Sequence, residues 1–275
     1  MSLIIKHLHV NIGGDPGKSL RRRSQKAPEK KILRDVSLHV ADRERVGLVG
    51  ASGSGKSMLA MSVMGLLPRT VHVSGSAVLD GTELIGGTPQ DLADIRGRAV
   101  GFIFQDPGTT LNPVVPVGKQ IEQPLRRHYD LSKEDRRERV SAMLEKVGLG
   151  ASVASAYPHE LSGGQQQRVG IACALITSPK LIIADEPTTA LDAMTQLQIV
   201  ELLVQLVDGA GASLLFITHD FSVLARVAQR SYVLESGEIV EEGDTAGLLA
   251  NPSSQAGDRL VTAAKELTFA RKESR

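Results

Sequence analysis

The octapeptide GASGSGKS, Gly50 to Ser57, sits between the apolar run RVGLV and the longer apolar stretch SMLAMSVMGLL. Small residues at Gly50, Ala51, Ser52, Gly53, Ser54 and Gly55 let backbone N–H groups close on an anion. A helix starting at their end adds its positive pole. Lys56 then reaches the outer phosphates of a nucleotide, Ser57 ligates Mg²⁺, and Met58 continues into the helix. A magnesium nucleotide needs a second carboxylate, and LIIADE offers one: Asp185 ends an apolar strand, where open α/β sheets bind ligands. Glu186, next in sequence, is placed to orient or deprotonate an attacking water. Alone, an Asp-Glu pair after a strand is more often a solvated loop start; the phosphate loop upstream decides for function. A second glycine-rich turn entering a helix, LSGGQQQR from Leu161 to Arg168, has no obvious place in that site.

The elements that must carry these residues alternate. SLIIKHLHV, SLHV and RVGLVG read as strands, SMLAMSVMGLL as a helix stopped by Pro68, SAVLDGTEL as a DG hairpin and AVGFIFQ as a buried strand. From Asn112 to Gly150 the character is helical. Ser132 and Asp135 form a capping-box pattern, Val140, Met143, Leu144 and Val147 keep helical spacing, and Gly148 marks a stop. KLIIAD, TQLQIVELLVQLV, ASLLFITHD and FSVLARVAQ then alternate strand and helix, which implies a parallel sheet covered on both faces. SYVLESGEIVEEG reads as a hairpin, and the polar tail 251–275 as weakly structured.

Bulk properties exclude several classes. The 275 residues carry 32 Lys and Arg against 31 Asp and Glu, a net charge of +1, so nothing calls for nucleic acid. Cys173 is the single cysteine, which rules out an internal disulfide or a cysteine-based cluster within this chain. Its neighbours, VGIACALI, place it in a core helix. No apolar run approaches the ~20 residues of a bilayer span and the N-terminus lacks a signal-peptide pattern, so a soluble, cytoplasmic chain is expected. The basic segment 18–31 reads as a solvated loop. His7 and His9 alternate on the first strand without matching ligands and read as structural.

GASGSGKS, Gln105 closing GFIFQ, LSGGQ, LIIADEP, ALD and the THD containing His219 stand in the order of an ATP-binding cassette (ABC) ATPase, and the chain resembles that family over nearly its whole length. IFQDPGTTLNPVVPVGKQI, YPHELSGGQQQRV and IADEPTTALD are similar to the ATPase subunits of oligopeptide, dipeptide and nickel importers. The resemblance implies a P-loop NTPase (RecA-like) α/β core with an N-terminal antiparallel β subdomain. An α-helical subdomain at about 107–172 is inserted in that core. It further implies one nucleotide-binding domain over 1–275, ATP and Mg²⁺ as cofactors, and two cassettes facing head to tail. Ser162, Gly163, Gly164 and Gln165 of one copy would meet the nucleotide held by Gly50–Met58 of the other. Gln105 would touch magnesium or the attacking water and relay the site's state to the helical subdomain. His219 would hold the γ-phosphate, and Asp192 would reach across the dimer.

The implied partners are transmembrane permease subunits and a second ATPase subunit, identical or paralogous. An extracytoplasmic solute-binding protein is involved indirectly, and the chain lies peripherally on the cytoplasmic membrane face. The competing expectation is an accessory ATPase of a non-transport complex, of the phosphonate-processing or DNA-repair class. Repair-type members carry coiled-coil or zinc insertions that this chain lacks. Two departures stand out: Ile12 occupies the position where the family usually stacks an aromatic side chain on adenine, and SSQAG replaces the HPYT-like residues after the final NP.

Overall fold

The computed structural model describes residues 2–13, 30–189 and 191–273. The basic segment 18–31 therefore lies outside the described residues except for Lys30 and Lys31, which open the second strand. In chain order the elements are β1 (Leu3–Ile12), β2 (Lys30–Val40), β3 (Arg45–Val49), α1 (Lys56–Val63), β4 (Val71–Leu79), β5 (Thr82–Glu83), α2 (Pro89–Ile95) and β6 (Val100–Ile103). They continue as α3 (Pro107–Thr110), α4 (Val117–His128), α5 (Lys133–Lys146), α6 (Gly163–Leu175), β7 (Leu181–Asp185), α7 (Ala193–Ala210), β8 (Ser213–Thr218) and α8 (Phe221–Val227). The chain closes with β9 (Arg230–Glu235), β10 (Glu238–Asp244), α9 (Thr245–Ala250) and α10 (Gln255–Glu273).

Two sheets form among the described residues. One is antiparallel, ordered β2-β1-β4-β5; the other is ordered β10-β9-β3-β8-β7-β6, parallel from β9 to β6 with β10 antiparallel at its edge. β7 and β8 are buried along their whole length, as strands covered on both faces must be. Their alternate residues divide between two cores. Ile182, Ala184, Leu214 and Phe216 join the core built on α4–α8, while Ile183, Leu215 and Ile217 join α1 and the antiparallel sheet. The parallel sheet is thus a partition with an apolar layer on each side, and that rigidity holds its strand ends in place.

Several local expectations are refined. β2 begins at Lys30 rather than at SLHV, because Leu33, Val36, Leu38 and Val40 keep burying against β1 along its length. α1 ends at Val63, well before Pro68; Gly65 at φ 58° takes the left-handed conformation that stops the helix. α5 has the expected capping box, Ser132 Oγ accepting from Asp135 N at 3.0 Å, and Gly148 at φ 73° follows its end. The expectation of a weakly structured tail fails. Residues 255–273 form α10, anchored where Ala256, Val261 and Ala264 bury in the core. His7 and His9 are structural as expected: His7 Nδ1 lies 2.6 Å from Asp35 Oδ1, and Asp35 N donates to His9 Nδ1 at 3.3 Å, across a bulge between β1 and β2.

Candidate active site

The order β3-β8-β7-β6 brings four strand ends side by side at the carboxyl edge of the parallel sheet. From β3 leaves the phosphate loop, from β8 the turn holding His219, from β7 Glu186, and from β6 the turn holding Gln105. Residues far apart in sequence meet there because parallel strands deliver all their C-terminal ends to one edge.

Gly50 starts the loop where no other residue fits. A Cβ at this position would lie 2.2 Å from the Leu234 carbonyl oxygen of β9 and 2.7 Å from Ser54 Oγ. Gly55, at φ 111°, turns the chain into α1 with its backbone in the left-handed region. Lys56, buried at 4% exposure, folds back over the loop, Nζ donating to the Gly50 carbonyl at 2.8 Å and the Ala51 carbonyl at 3.1 Å. The same Nζ is 3.5 Å from Glu186 Oε1, so the lysine spans the space between loop and carboxylate.

Asp185 ends β7 inside the protein. Burial pushes its carboxyl pKa up, against a hydrogen bond from Ser57 and the nearby Lys56 charge that pull it down. Its Oδ1 is buried with no hydrogen-bond partner among the described residues. An orphaned carboxylate oxygen beside a hydroxyl is a hard-oxygen donor set of the kind Mg²⁺ takes.

Glu186 is the hub. Its backbone sits at φ 46°, left-handed for a non-glycine residue, with its N–H donating to the Ile217 carbonyl at 2.9 Å. Oε2 accepts from Gln105 Nε2 at 3.3 Å and from Thr189 Oγ1 at 2.9 Å, and His219 Nδ1 lies 3.0 Å away. Burial acts to raise the carboxyl pKa. The Thr189 hydrogen bond and the His219 and Lys56 charges outweigh it, and the net direction is down. A carboxylate held ionised in this way orients a water and accepts its proton late in the reaction; it is a weak base beforehand. An ionised carboxylate only accepts, so Nδ1 of His219 carries the proton in this contact and Nε2 is not the atom engaged by Glu186.

Ile32, Ala51, Ser52, Gly53, Gly55, Lys56, Ser57, Met58, Gln105, Glu186, Thr189, His219 and Leu260 together line a cleft of about 650 Å³. Three of these were missed in the sequence. Thr189 carried a signal, its place three residues after Glu186. Ile32 and Leu260 come from β2 and α10 and carry no motif. Ile12 is not part of this lining: it is 40% exposed at the end of β1, opposite Lys30 and Val71, and Ile32 of the neighbouring strand takes the apolar wall instead.

LSGGQ is elsewhere on the chain. Ser162 N-caps α6, its Oγ accepting from Gln165 N at 3.3 Å while Gln165 Oε1 accepts from Ser162 N at 2.9 Å. Gln166 Nε2 donates to the Pro158 and Leu161 carbonyls and pins the preceding turn. The result is an exposed Ser162–Gly163 edge at a helix N-terminus. Neither it nor Asp192, which N-caps α7 through Met194 N and Thr195 N, belongs to the Lys56 cleft. Cys173 lies on α6, partly exposed as a residue, with burial pushing its thiol up to about 12, so it is inert.

Residues 33–189 match the family described as ABC transporter. The chain belongs to the ABC transporter family. It is 42% identical over 228 residues to the oligopeptide transport ATP-binding protein OppD of Bacillus subtilis (strain 168), a match covering 82% of this chain and 64% of that protein. The OppD of Lactococcus lactis subsp. cremoris is 43% identical over 225 residues, covering 81% of this chain and 67% of that one. The chain thus spans about two thirds of the length of these curated relatives. Among solved structures it is similar to the dimeric, post-hydrolysis ATP-binding cassette MJ0796 bound to ADP and Pi. That match is 31% identical with a TM-score of 0.75, over 88% of this chain and 98% of that one. The fold and the ordered motifs of an ABC cassette are thereby both accounted for.

Proposed function

We propose that this cassette hydrolyses ATP as the energising subunit of an importer for peptides or a related small solute, working through separate permease subunits at the cytoplasmic membrane face. The observation that carries the catalytic part is the convergence of Lys56, Gln105, Thr189 and His219 on the single carboxylate of Glu186, at the mouth of a phosphate loop. The names of the relatives carry the transport part and favour it over the accessory-ATPase reading. No helix among the described residues is long and apolar enough to cross a membrane, which supports passage through other subunits.

Ser57, Asp185 and Gln105 form the side of the cleft that would hold Mg²⁺, which neutralises charge on the β and γ phosphates when bound with the nucleotide. Gly50 to Met58 hold the phosphates through backbone N–H groups and Lys56. Glu186 orients the attacking water and takes up its proton. His219, tethered to Glu186 by Nδ1, presents Nε2 to the γ-phosphate. The exposed Ser162–Gly163 edge, with half-buried Gly164 next to it and separate from the Lys56 cleft, supports a shared site in which the LSGGQ of a second cassette closes over the γ-phosphate. Asp192 would reach across the same junction. Beside Gln105, a groove of about 400 Å³ lined by Phe102, Phe104, Leu111 and Pro124 suits a segment of a membrane subunit, coupling its position to the state of the site.

The test is a pair of substitutions. Glu186→Gln keeps ATP binding and loses turnover by about 10²-fold or more. Ser162→Arg spares ATP binding by the isolated chain and abolishes turnover in the assembled transporter. Near-normal steady-state hydrolysis in either variant removes the role assigned to that residue, and a lack of peptide-stimulated turnover in the assembly removes the solute class.

A further inference from the structure

The C-terminal helix reaches the nucleotide cleft. Glu241 on β10 holds the start of α10: its Oε1 accepts from Ser253 N at 2.6 Å and Ser253 Oγ at 2.9 Å, and its Oε2 from Ser254 N at 3.0 Å and Ser254 Oγ at 2.5 Å. The helix lies close over that carboxylate, since a Cβ on Gly257 would come within 2.5 Å of Glu241 Oε2. Ala256, Val261 and Ala264 face the core at helical spacing. Arg259 pairs with Glu235 at the end of β9. These contacts fix the rotation of the helix. They leave Leu260, half-buried, beside the first half of the phosphate loop, where it lines both the 650 Å³ cleft and a smaller one of about 350 Å³ shared with Ala51–Ser54 and Leu234–Ser236.

From this placement we infer that Leu260 is a nucleotide-contacting residue. With Ile32 it gives the cleft the apolar wall against which the base and ribose of ATP rest. Three observations point the same way. Leu260 and Ile32 are aliphatic residues in a lining otherwise made by the loop and by polar side chains, apart from Met58. No aromatic ring is among the described lining residues, so these offer the base no stacking platform. Ile12, the residue expected from the motif order to supply the apolar contact, is not in the lining. A nucleoside has an apolar face to bury and a triphosphate has none, so the two parts of ATP should depend on different halves of the cleft: the triphosphate on Lys56 and the loop, the nucleoside on Ile32 and Leu260.

The inference rests on the nucleotide reading of the cleft, and the experiment separates the two. Equilibrium binding of ATP and of inorganic tripolyphosphate is measured on the full chain for wild type, Leu260→Ser, Leu260→Met and Lys56→Ala, with thermal melts of each. Leu260→Ser is expected to weaken ATP about tenfold and leave tripolyphosphate unchanged, while Leu260→Met stays within about twofold of wild type for both. Lys56→Ala weakens both ligands. Equal ATP affinity in wild type and Leu260→Ser, or an equal loss of both ligands in Leu260→Ser, overturns the role of Leu260. Should Leu260→Ser lower the melting temperature markedly, Leu260→Ala decides by the same ratio of the two affinities. Failure of wild type to bind ATP, or indifference of both ligands to Lys56→Ala, overturns the nucleotide reading itself.

Discussion

Gly50→Ala should damage the active site without touching a charged or catalytic group. The new Cβ would sit 2.2 Å from the Leu234 carbonyl oxygen and 2.7 Å from Ser54 Oγ. Carbon and carbonyl oxygen need roughly 3.0–3.4 Å, so the start of the loop must move by about 1 Å. Leu234 cannot yield, because β9 is paired on one side with β3, Val49 opposite Val233, and on the other with β10, Leu234 opposite Ile239. The movement therefore falls on the loop, and with it on the Gly50 carbonyl that holds Lys56 Nζ at 2.8 Å. A displacement of this size at a phosphate-positioning element costs about 10²-fold in kcat/KM, roughly 2.7 kcal/mol, and overpacking lowers stability by a further ~1–3 kcal/mol. The assay is steady-state ATP hydrolysis and equilibrium ATP binding, with thermal melts. Gly209→Ala serves as control, since it sits exposed in α7 with nothing within 4 Å of its would-be Cβ. That change should raise stability by ~0.5–1 kcal/mol and leave turnover alone. Wild-type kcat/KM in Gly50→Ala would refute the claim that close approach to β9 sets the loop's position.

Thr189→Val removes the hydroxyl that donates to Glu186 at 2.9 Å; the Glu186 pKa rises, so the acid limb of the turnover profile moves to higher pH, and Thr189→Ser returns it. A profile that stays put in Thr189→Val removes the positioning role of the hydroxyl. Asp192→Ala deletes an N-cap of α7 and lowers stability by about 1 kcal/mol in denaturant melts, while Asp192→Asn, which can still cap, loses far less. Burial acts to raise the Glu241 pKa, but hydrogen bonds from Ser253 and Ser254 outweigh it and hold the carboxyl below the usual carboxylate range. Its contribution is therefore complete above the ordinary carboxylate value and is lost as pH falls through the depressed one, and Glu241→Gln should flatten that part of the stability curve. Phe216→Ala, in the fully buried β8, should cost ~3–5 kcal/mol by urea unfolding, with a drop below 1 kcal/mol contradicting its place in the core.

What the sequence disclosed and what it hid divide by the range of the interaction. Gly50 to Ser57, Asp185 and Glu186 could be placed in advance because their geometry is local: a loop between a strand and a helix, and a carboxylate at a strand end. The capping box of α5 was equally local, as was the Gly148 stop; that of α6, Ser162 with Gln165, was just as local and went unread. Ile32 and Leu260 were invisible because nothing in their own neighbourhoods speaks of a ligand; β2 and α10 bring them to the cleft only through packing against β1, β9 and α8. The tail misled for a related reason. Its polar composition suggested little structure, yet the anchor of α10 is made of small residues, Ala256, Gly257, Val261 and Ala264, together with a carboxylate on β10. The spacing of Ala256, Val261 and Ala264 on one helical face was the available signal.

The two glycine-rich turns then differ in physical kind. The turn at Gly50 belongs to a cleft built by this chain: its lysine donates to the Gly50 and Ala51 carbonyls and lies 3.5 Å from Glu186 Oε1, with Gln105, Thr189 and His219 around the same carboxylate. The turn at Ser162 is a reciprocal cap, Ser162 Oγ accepting from Gln165 N and Gln165 Oε1 from Ser162 N, and it still leaves Ser162 and Gly163 exposed with the N-terminus of α6 behind them. A cap that needed only to end a helix would gain nothing from two successive glycines, which weaken a helix by up to about 1 kcal/mol each. That cost is repaid where an anion approaches the backbone closely. Within the described residues of this chain the anion site is elsewhere; under the shared-site proposal the second turn would meet a phosphate held by another cassette, and Ser162→Arg is the substitution that should silence the assembled pair while leaving each chain able to bind ATP.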